Sequence, residues 1–247
     1  MPKFFVKKDQ IQNDEVNIIN GDVNHIKNVL RYKIGDELDI CNNENGENFR
    51  VVIQELNNSK IKCKIIKKID NNTESNVFIH IYQGLPKAEK MELIIQKATE
   101  LGAAKITPIE MERSIVKIKE NDKIKKTTRW QKIAEVAAKQ SGRNNILEID
   151  NIKNIKEIAK EIEKYDTFIV TYEKEMYNKL KSELEKITKI NNPKIGILIG
   201  PEGGITEEEI SILKEGGAKI VTLGKRILRT ETVALMVCSI IQYVLEK

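Results

Sequence analysis

The sequence predicts an α/β protein in which a mostly parallel sheet with helices on both faces follows a small β-barrel. Three observations predict it. Short β-runs separated by polar turns fill residues 1 to about 70, strands alternate with helices from residue 77 onward, and the polar stretch Asp70-Asn71-Asn72-Thr73-Glu74-Ser75-Asn76 between them holds nothing suited to a core.

In the first part the runs are Phe4 to Val6, Val16 to Ile19, Glu37 to Cys41, Phe49 to Leu56 and Ile61 to Ile69. Turn material, Asn42-Asn43-Glu44-Asn45-Gly46 and Asn57-Asn58-Ser59, separates the later ones, and one helix-like insert, His25 to Arg31, interrupts the pattern. In the second part Val77 to Gln83 reads as a strand. Lys87 to Leu101 reads as a helix with Met91, Ile94, Ile95, Ala98 and Leu101 on one face and Gly102 as its stop. Strand Lys105 to Glu110 and a helix from about Lys125 to Ser141, burying Trp130, Ile133, Ala134 and Ala137, come next. A helix over 151–164, strand Thr167 to Thr171, a helix over 176–189, strand Lys194 to Ile199, a helix over 206–215, strand Lys219 to Leu223 and a helix over 231–246 complete the chain. Such alternation predicts parallel strands covered on both faces.

Composition narrows the function classes. The chain has 247 residues, 40% of them hydrophobic and 32% charged, which suits a globular protein. No unbroken apolar run is long enough to span a bilayer, and Met1 to Lys8 lacks the apolar stretch and cleavage site of a signal peptide, so no membrane association and a cytoplasmic location are expected. Cys41, Cys63 and Cys238 are scattered and read as buried or incidental thiols; His25 and His80 have no partner at ligand spacing, so no metal is expected. The net charge of +5 is carried by 35 lysines and 7 arginines, and the lysines reflect compositional drift. Arginine is more informative, because its guanidinium is a rigid bidentate donor. Arg31, Arg113, Arg129, Arg143, Arg226 and Arg229 all fall in unusual segments; Arg50 does not.

Ligands of open α/β sheets bind beyond the carboxyl ends of the strands, so the strand-to-helix loops carry the chemistry. Ile199-Gly200-Pro201-Glu202-Gly203-Gly204-Ile205-Thr206 places three glycines and a proline between a strand and a capping box of Thr206 with Glu209. It is either a tight turn or a loop whose glycines admit a ligand close to the backbone. Leu223-Gly224-Lys225-Arg226-Ile227-Leu228-Arg229-Thr230-Glu231-Thr232 also leaves a strand for a helix, with Thr230 expected to cap it and Glu231 to complement the helix dipole. Two such loops, taken to lie on neighbouring strands, predict a pocket. The chain lacks the glycine patterns of triphosphate and dinucleotide sites.

Six segments in order resemble one family. They are Gln83-Gly84-Leu85-Pro86-Lys87 with Lys90 and on to Gln96-Lys97-Ala98-Thr99-Glu100-Leu101-Gly102; Glu112-Arg113-Ser114; Arg129-Trp130-Gln131-Lys132-Ile133-Ala134; Gln140-Ser141-Gly142-Arg143; Ile199 to Gly204; and Leu228 to Thr232. Together they resemble the RsmE group of SPOUT-class methyltransferases, which methylate N3 of a uridine in 16S small-subunit ribosomal RNA. His25 to Arg31 is similar to the PUA-like RNA-binding barrel of that group. The resemblance is weakest over 42–76 and 144–192.

The resemblance implies a PUA-like RNA-binding barrel over 1–70 and a SPOUT domain over 77–247 whose chain forms a deep trefoil knot. It implies S-adenosyl-L-methionine as cofactor, held by Thr171, Gly200, Pro201, Glu202, Gly203, Gly204, Leu223, Gly224, Ile227, Leu228 and Thr232. It implies a homodimer with 16S rRNA or the assembled small ribosomal subunit as partner. Arg229 and Glu231 are the expected catalytic residues: Arg229 to stabilise charge on the uracil carbonyl or orient its phosphate, Glu231 either to remove the N3 proton or to fix Arg229 by a salt bridge. Arg31, Lys87, Arg113, Arg129, Arg143 and Arg226 are the expected RNA contacts, some of them alternatively dimer contacts. Two other readings stay open: a SPOUT enzyme acting on another RNA, and an RNA-binding protein without catalysis.

Overall fold

A computed structural model describes residues 3–71 and 73–247; Met1, Pro2 and, within the expected linker, Asn72 lie outside the described residues. Contacts divide the chain into two units. The first contains residues up to Glu74 together with Ala138–Ile146, and the second contains Ser75–Ala137 and Leu147–Lys247.

The first unit is a six-stranded, curled half-barrel built from β1 (Lys3–Val6), β2 (Ile11–Gln12), β3 (Glu15–Ile19), β4 (Glu37–Asn42), β5 (Asn48–Leu56) and β6 (Lys60–Ile69), in the order β1-β4-β5-β6-β3-β2. Only β1 with β4 is parallel. Register shifts at Arg50/Val51 and Ile53/Glu55 mark bulges in the β5–β6 ladder, and bulges bend strands and increase their twist. Inward side chains at alternate positions, among them Phe4, Val6, Val16, Ile18, Leu38, Ile40, Val51, Ile53, Ile61 and Cys63, form the core. The helical insert begins earlier than the sequence suggests: α1 (Gly21–Asn24) continues into a π-turn, His25–Val29, and Arg31 ends it with a φ of 57°. Residues 138–146 complete this unit. Asn144 Oδ1 accepts from Lys3 Nζ (2.6 Å), and Glu74 takes the Arg143 guanidinium (2.6 Å) and the Asn144 backbone N–H (2.7 Å).

The second unit is a parallel sheet of β7 (Phe78–Gly84), β8 (Lys105–Glu110), β9 (Glu148–Ile149), β10 (Lys153–Asn154), β11 (Thr167–Thr171), β12 (Lys194–Ile199) and β13 (Lys219–Val221). The order is β10-β8-β7-β12-β11-β13, with β9 on β8. Its helices are α2 (Lys90–Glu100), α3 (Glu120–Ser141, whose last turn belongs to the first unit), α4 (Ile155–Ala159), α5 (Leu180–Glu185), α6 (Glu207–Glu215) and α7 (Thr230–Leu245). The registers Tyr82↔Leu198↔Val170↔Ile220 set one face of the sheet, which packs on Ile155 and Ile158 of α4 and Ile210 and Leu213 of α6. The α2 and α7 helices pack on each other, and Gln83, on the opposite face from Tyr82, hydrogen-bonds to α7, so this pair covers the second face.

Two expected helices are shorter than their periodicity suggests. Over 151–164 the helix starts only at Ile155, because Lys153 and Asn154 pair with β8 and the Asn154–Glu157 capping box sets the start. Over 176–189 only Leu180–Glu185 is helical; Asn178 O accepts from Thr222 N (2.8 Å), Asn178 Nδ2 donates to Ile220 O (2.9 Å), and Lys179 bridges Thr222. Tertiary hydrogen bonds hold that backbone extended.

A polar cluster lies within the α4/α6 face. His80 Nδ1 is 2.5 Å from Tyr165 Oη and its Nε2 2.8 Å from Thr107 Oγ1, while Tyr82 Oη donates to Glu161 (2.8 Å). Burial, followed by the charge of Lys105, pulls His80 down to about 3. Burial raises the three free thiols, to about 11 for Cys41 and about 12 for Cys63 and Cys238, and all three side chains pack in the interior.

Candidate active site

Beyond the carboxyl ends of β11, β12 and β13, three loops enclose a cavity of about 560 Å³. The loop after β12 contributes Gly200 to Ile205, the segment after β13 contributes Thr222 to Arg229, and the loop after β11 contributes Tyr172 and Glu173. Thr171 and Ile199 at the strand ends, Lys90 of α2, and Thr230 and Val233 of α7 complete the lining. The two glycine-bearing loops do not leave neighbouring strands, as the sequence reading assumed; β11 separates β12 from β13. That order brings Tyr172 and Glu173 into the cavity.

The loop after β12 is anchored at both ends, with Pro201, Ile205 and Thr206 buried and Glu202 and Gly203 exposed between them. Thr206 and Glu209 form the expected reciprocal capping box, with Glu209 N donating to Thr206 Oγ1 (3.2 Å) and Thr206 N to Glu209 Oε2 (3.0 Å). The other oxygen of Glu209 accepts from Glu112 N (2.9 Å), which ties the loop to the segment Met111–Ser114. Gly203 is glycine for that neighbour: a Cβ there would stand 2.7 Å from the Arg113 carbonyl oxygen. Close approach is therefore needed, but to the protein's own backbone rather than to a ligand.

The segment after β13 is different. Gly224 has a φ of 113°, a conformation natural only to glycine, yet a Cβ there would meet nothing within 4 Å. Lys225, Arg226 and Ile227 are exposed, Ile227 at 87%. Thr230 does not cap α7 with its side chain; Arg229 holds the N-cap position. The Thr230 hydroxyl instead donates to Gly200 O (2.7 Å) and accepts from Gln83 Nε2 (2.8 Å), joining the start of α7 to the ends of β7 and β12.

Of the expected cofactor residues, Thr171, Gly200, Pro201, Glu202, Gly203, Gly204, Leu223, Gly224, Ile227 and Leu228 line the cavity, as do Arg226 and Arg229; Thr232 is exposed on α7 outside the lining. The expected Arg229–Glu231 salt bridge is not formed. Arg229 is exposed and has no ion pair among the described residues, whereas Glu231 Oε2 lies 3.3 Å from Lys90 Nζ. Residues two apart at a helix start point to different sides, which separates the two charges. Lys90 also binds Glu202 Oε1 at 2.9 Å. Partial burial works against the Glu202 carboxylate, but the Lys90 ammonium and backbone N–H groups outweigh it and hold its pKa below the ordinary value.

Among the expected RNA contacts, Arg31, Lys87, Arg113 and Arg226 are exposed; Arg129 is exposed and paired with Glu92 (2.8 Å). Arg143 departs from expectation: it is buried, 6% exposed, and engaged by Glu74, so its guanidinium serves the interior of the first unit. Tyr172, Glu173, Thr222, Lys225 and Val233 were not foreseen as lining. For Tyr172 and Glu173 the signal was available, since they follow the carboxyl end of a predicted strand.

A chain with this sheet and this cavity matches the RNA methyltransferase domain family over residues 73–242 and the RNA methyltransferase PUA domain family over 18–66. It is 36% identical to the ribosomal RNA small subunit methyltransferase E of Bacillus subtilis over 98% of this chain and 96% of that one. It is 34% identical to the enzyme of the same name from Mesomycoplasma hyopneumoniae, over 95% and 96%. The crystal structure of a ribosomal RNA small subunit methyltransferase E from Neisseria gonorrhoeae, bound to S-adenosyl methionine, superposes with a TM-score of 0.88 at 28% identity, over 100% and 98% of the chains. The chain belongs to the ribosomal RNA small subunit methyltransferase E family.

Proposed function

We propose that this chain methylates N3 of a specific uridine in 16S rRNA with S-adenosyl-L-methionine, acting in the cytoplasm as a homodimer. The observation that carries the reading is the cavity at the ends of β11, β12 and β13, in a chain of this family. Its size suits a small-molecule site. Ile199, Ile205, Leu223 and Val233 offer apolar surface to an adenine, the backbones of Gly200 to Gly204 and Leu223 to Leu228 offer hydrogen-bonding groups, and Glu173 offers anionic charge to a cationic ligand. The residues present thus fit the cofactor, and Thr171 stands with them. When bound, the cofactor supplies an activated methyl group on a sulfonium.

The protein has to align the uracil, accept the loss of its N3 proton and stabilise the resulting charge. Arg229, exposed at the cavity and unpaired among the described residues, is suited to hold a uracil carbonyl or the nucleotide phosphate. Glu231 remains the candidate base, its carboxylate held by Lys90 rather than Arg229. Arg31 on the half-barrel and Lys87, Arg113, Arg129 and Arg226 on the second unit are exposed cations suited to RNA phosphates, which position a substrate without reading its sequence. A barrel over 1–70 for RNA and a catalytic domain over 77–247, less the residues 138–146 that join the first unit, with the chain knotted at the cofactor loops, complete the proposal. No helix among the described residues is long and apolar enough to cross a membrane.

Calorimetry with S-adenosyl-L-methionine, followed by single-turnover methylation of naked 16S rRNA and of assembled small subunits with nucleoside mass spectrometry, tests the reading. Binding and the appearance of 3-methyluridine are expected. Binding without methyl transfer to either RNA, or a methyl group on another base, would overturn it, and light scattering reads the dimer.

A further inference from the structure

Lys90 stands where three segments of the second unit meet, and nothing above requires a lysine there. It opens α2, after the loop that follows β7, in which Ala88 adopts a φ of 53° that L-residues rarely take. Its ammonium lies 2.9 Å from Glu202 Oε1 on the glycine-rich loop and 3.3 Å from Glu231 Oε2 in the first turn of α7. Glu202 also accepts the backbone N–H of Lys87 through both oxygens, at 3.1 and 3.3 Å. One carboxylate therefore grips the β7–α2 loop by its backbone and its lysine, and the same lysine reaches a second carboxylate on a third segment.

The charges explain why a cation is needed. Glu202 and Glu231 converge on one ammonium, so without it two carboxylates would face each other at the cavity rim and repel. Side-chain exposures of 29% for Lys90, 25% for Glu202 and 15% for Glu231 leave the group partly shielded from water, and Glu231 Oε2 has no hydrogen bond of good geometry to compensate for losing its cation. Lys90 is also part of the cavity lining, so a displaced rim alters the cavity itself.

We infer that Lys90 is a positioning residue that holds the glycine-rich loop and the start of α7 in the arrangement that receives the cofactor. The inference rests on the proposed reading of the cavity as the cofactor site. It places the ammonium's action on the protein's own carboxylates, not on RNA.

The test uses full-length Lys90→Met, Lys90→Arg and Glu202→Gln, with amide exchange of the ligand-free protein, S-adenosyl-L-methionine titration, and the KM and kcat for RNA. Lys90→Met should speed exchange in 200–206 and 230–233 and weaken cofactor affinity roughly three- to tenfold, the range of a partly exposed ion-pair network, with the KM for RNA unchanged. Lys90→Arg should restore most of both, and Glu202→Gln should loosen 200–206 while sparing 230–233. Unchanged exchange in Lys90→Met, or a loss confined to the KM for RNA, would overturn the inference. Failure of the wild-type protein to bind the cofactor would instead sink the functional reading, and exchange in the ligand-free variants would still decide the role of Lys90.

Discussion

The two glycine-bearing segments at the cavity differ in how closely their glycines are packed. In 200–204 the missing side chain at Gly203 lets the loop lie against the Arg113 carbonyl, with a capping box and the Thr230 hydroxyl fixing its ends. In 223–229 Gly224 supplies a backbone angle in open space, and Lys225, Arg226 and Ile227 after it are exposed. One wall of the cavity is pre-formed and the other is loosely held, so ligand binding should order mainly the second.

The largest expected effect tests the rigid wall. Gly203→Val forces a side chain onto backbone that cannot move aside, and should cost about 3 kcal/mol in urea unfolding; wild-type stability would mean that both walls are equally pliable. Acid should act on the sheet beneath both. Because the folded value of His80 lies near 3, below its ordinary 6.5, the unfolded chain binds the proton first. Stability is then complete above 6.5 and is lost as the pH falls from there toward 3. Between pH 6.5 and 5 the loss should be about 2 kcal/mol, and His80→Gln, which keeps a donor and an acceptor for Tyr165 and Thr107, should remove it. An unchanged slope in that variant would assign the acid sensitivity to another group.

Thr230→Val leaves the buried Gln83 amide and Gly200 carbonyl without their shared partner. A cost of about 1.5 kcal/mol and faster exchange in 200–206 are expected; if only 223–229 loosens, the bond does not brace the rigid wall. The smallest effects belong to the loose wall. Gly224→Ala should cost about 1 kcal/mol from backbone angle alone, and Ile227→Ala less than about 0.5 kcal/mol. Cofactor should slow exchange more in 223–229 than in 200–206, and equal protection of the two would erase the distinction.

Much of this was legible in the sequence because local chemistry and tertiary structure agree. Val16 to Ile19 and Phe49 to Leu56 are strands as their alternation predicts, and the Thr206–Glu209 box closes both of its reciprocal bonds. Legibility ended where a distant segment claimed local groups. Asn178 and Lys179 are extended because Ile220 and Thr222 bond them, and Thr230 gives its hydroxyl to Gly200 instead of to its own helix. Strand order is likewise absent from periodicity, so the place of β11 between the strands of the two glycine-bearing loops was not foreseen, although Glu173 follows the carboxyl end of a predicted strand.

Residues 138–146 set an order of events during synthesis. They belong to the first unit, where Ala138 and Ile146 cover Phe5 and Cys41, and Asn144 meets Lys3 and Glu74. Chains are made from the N-terminus and their domains generally fold as units, but this unit lacks its last nine residues until the ribosome has added some seventy more beyond Glu74. A nascent chain stalled before Arg143 should therefore carry a half-barrel with an uncovered apolar patch at Phe5 and Cys41, vulnerable to protease until the returning segment arrives.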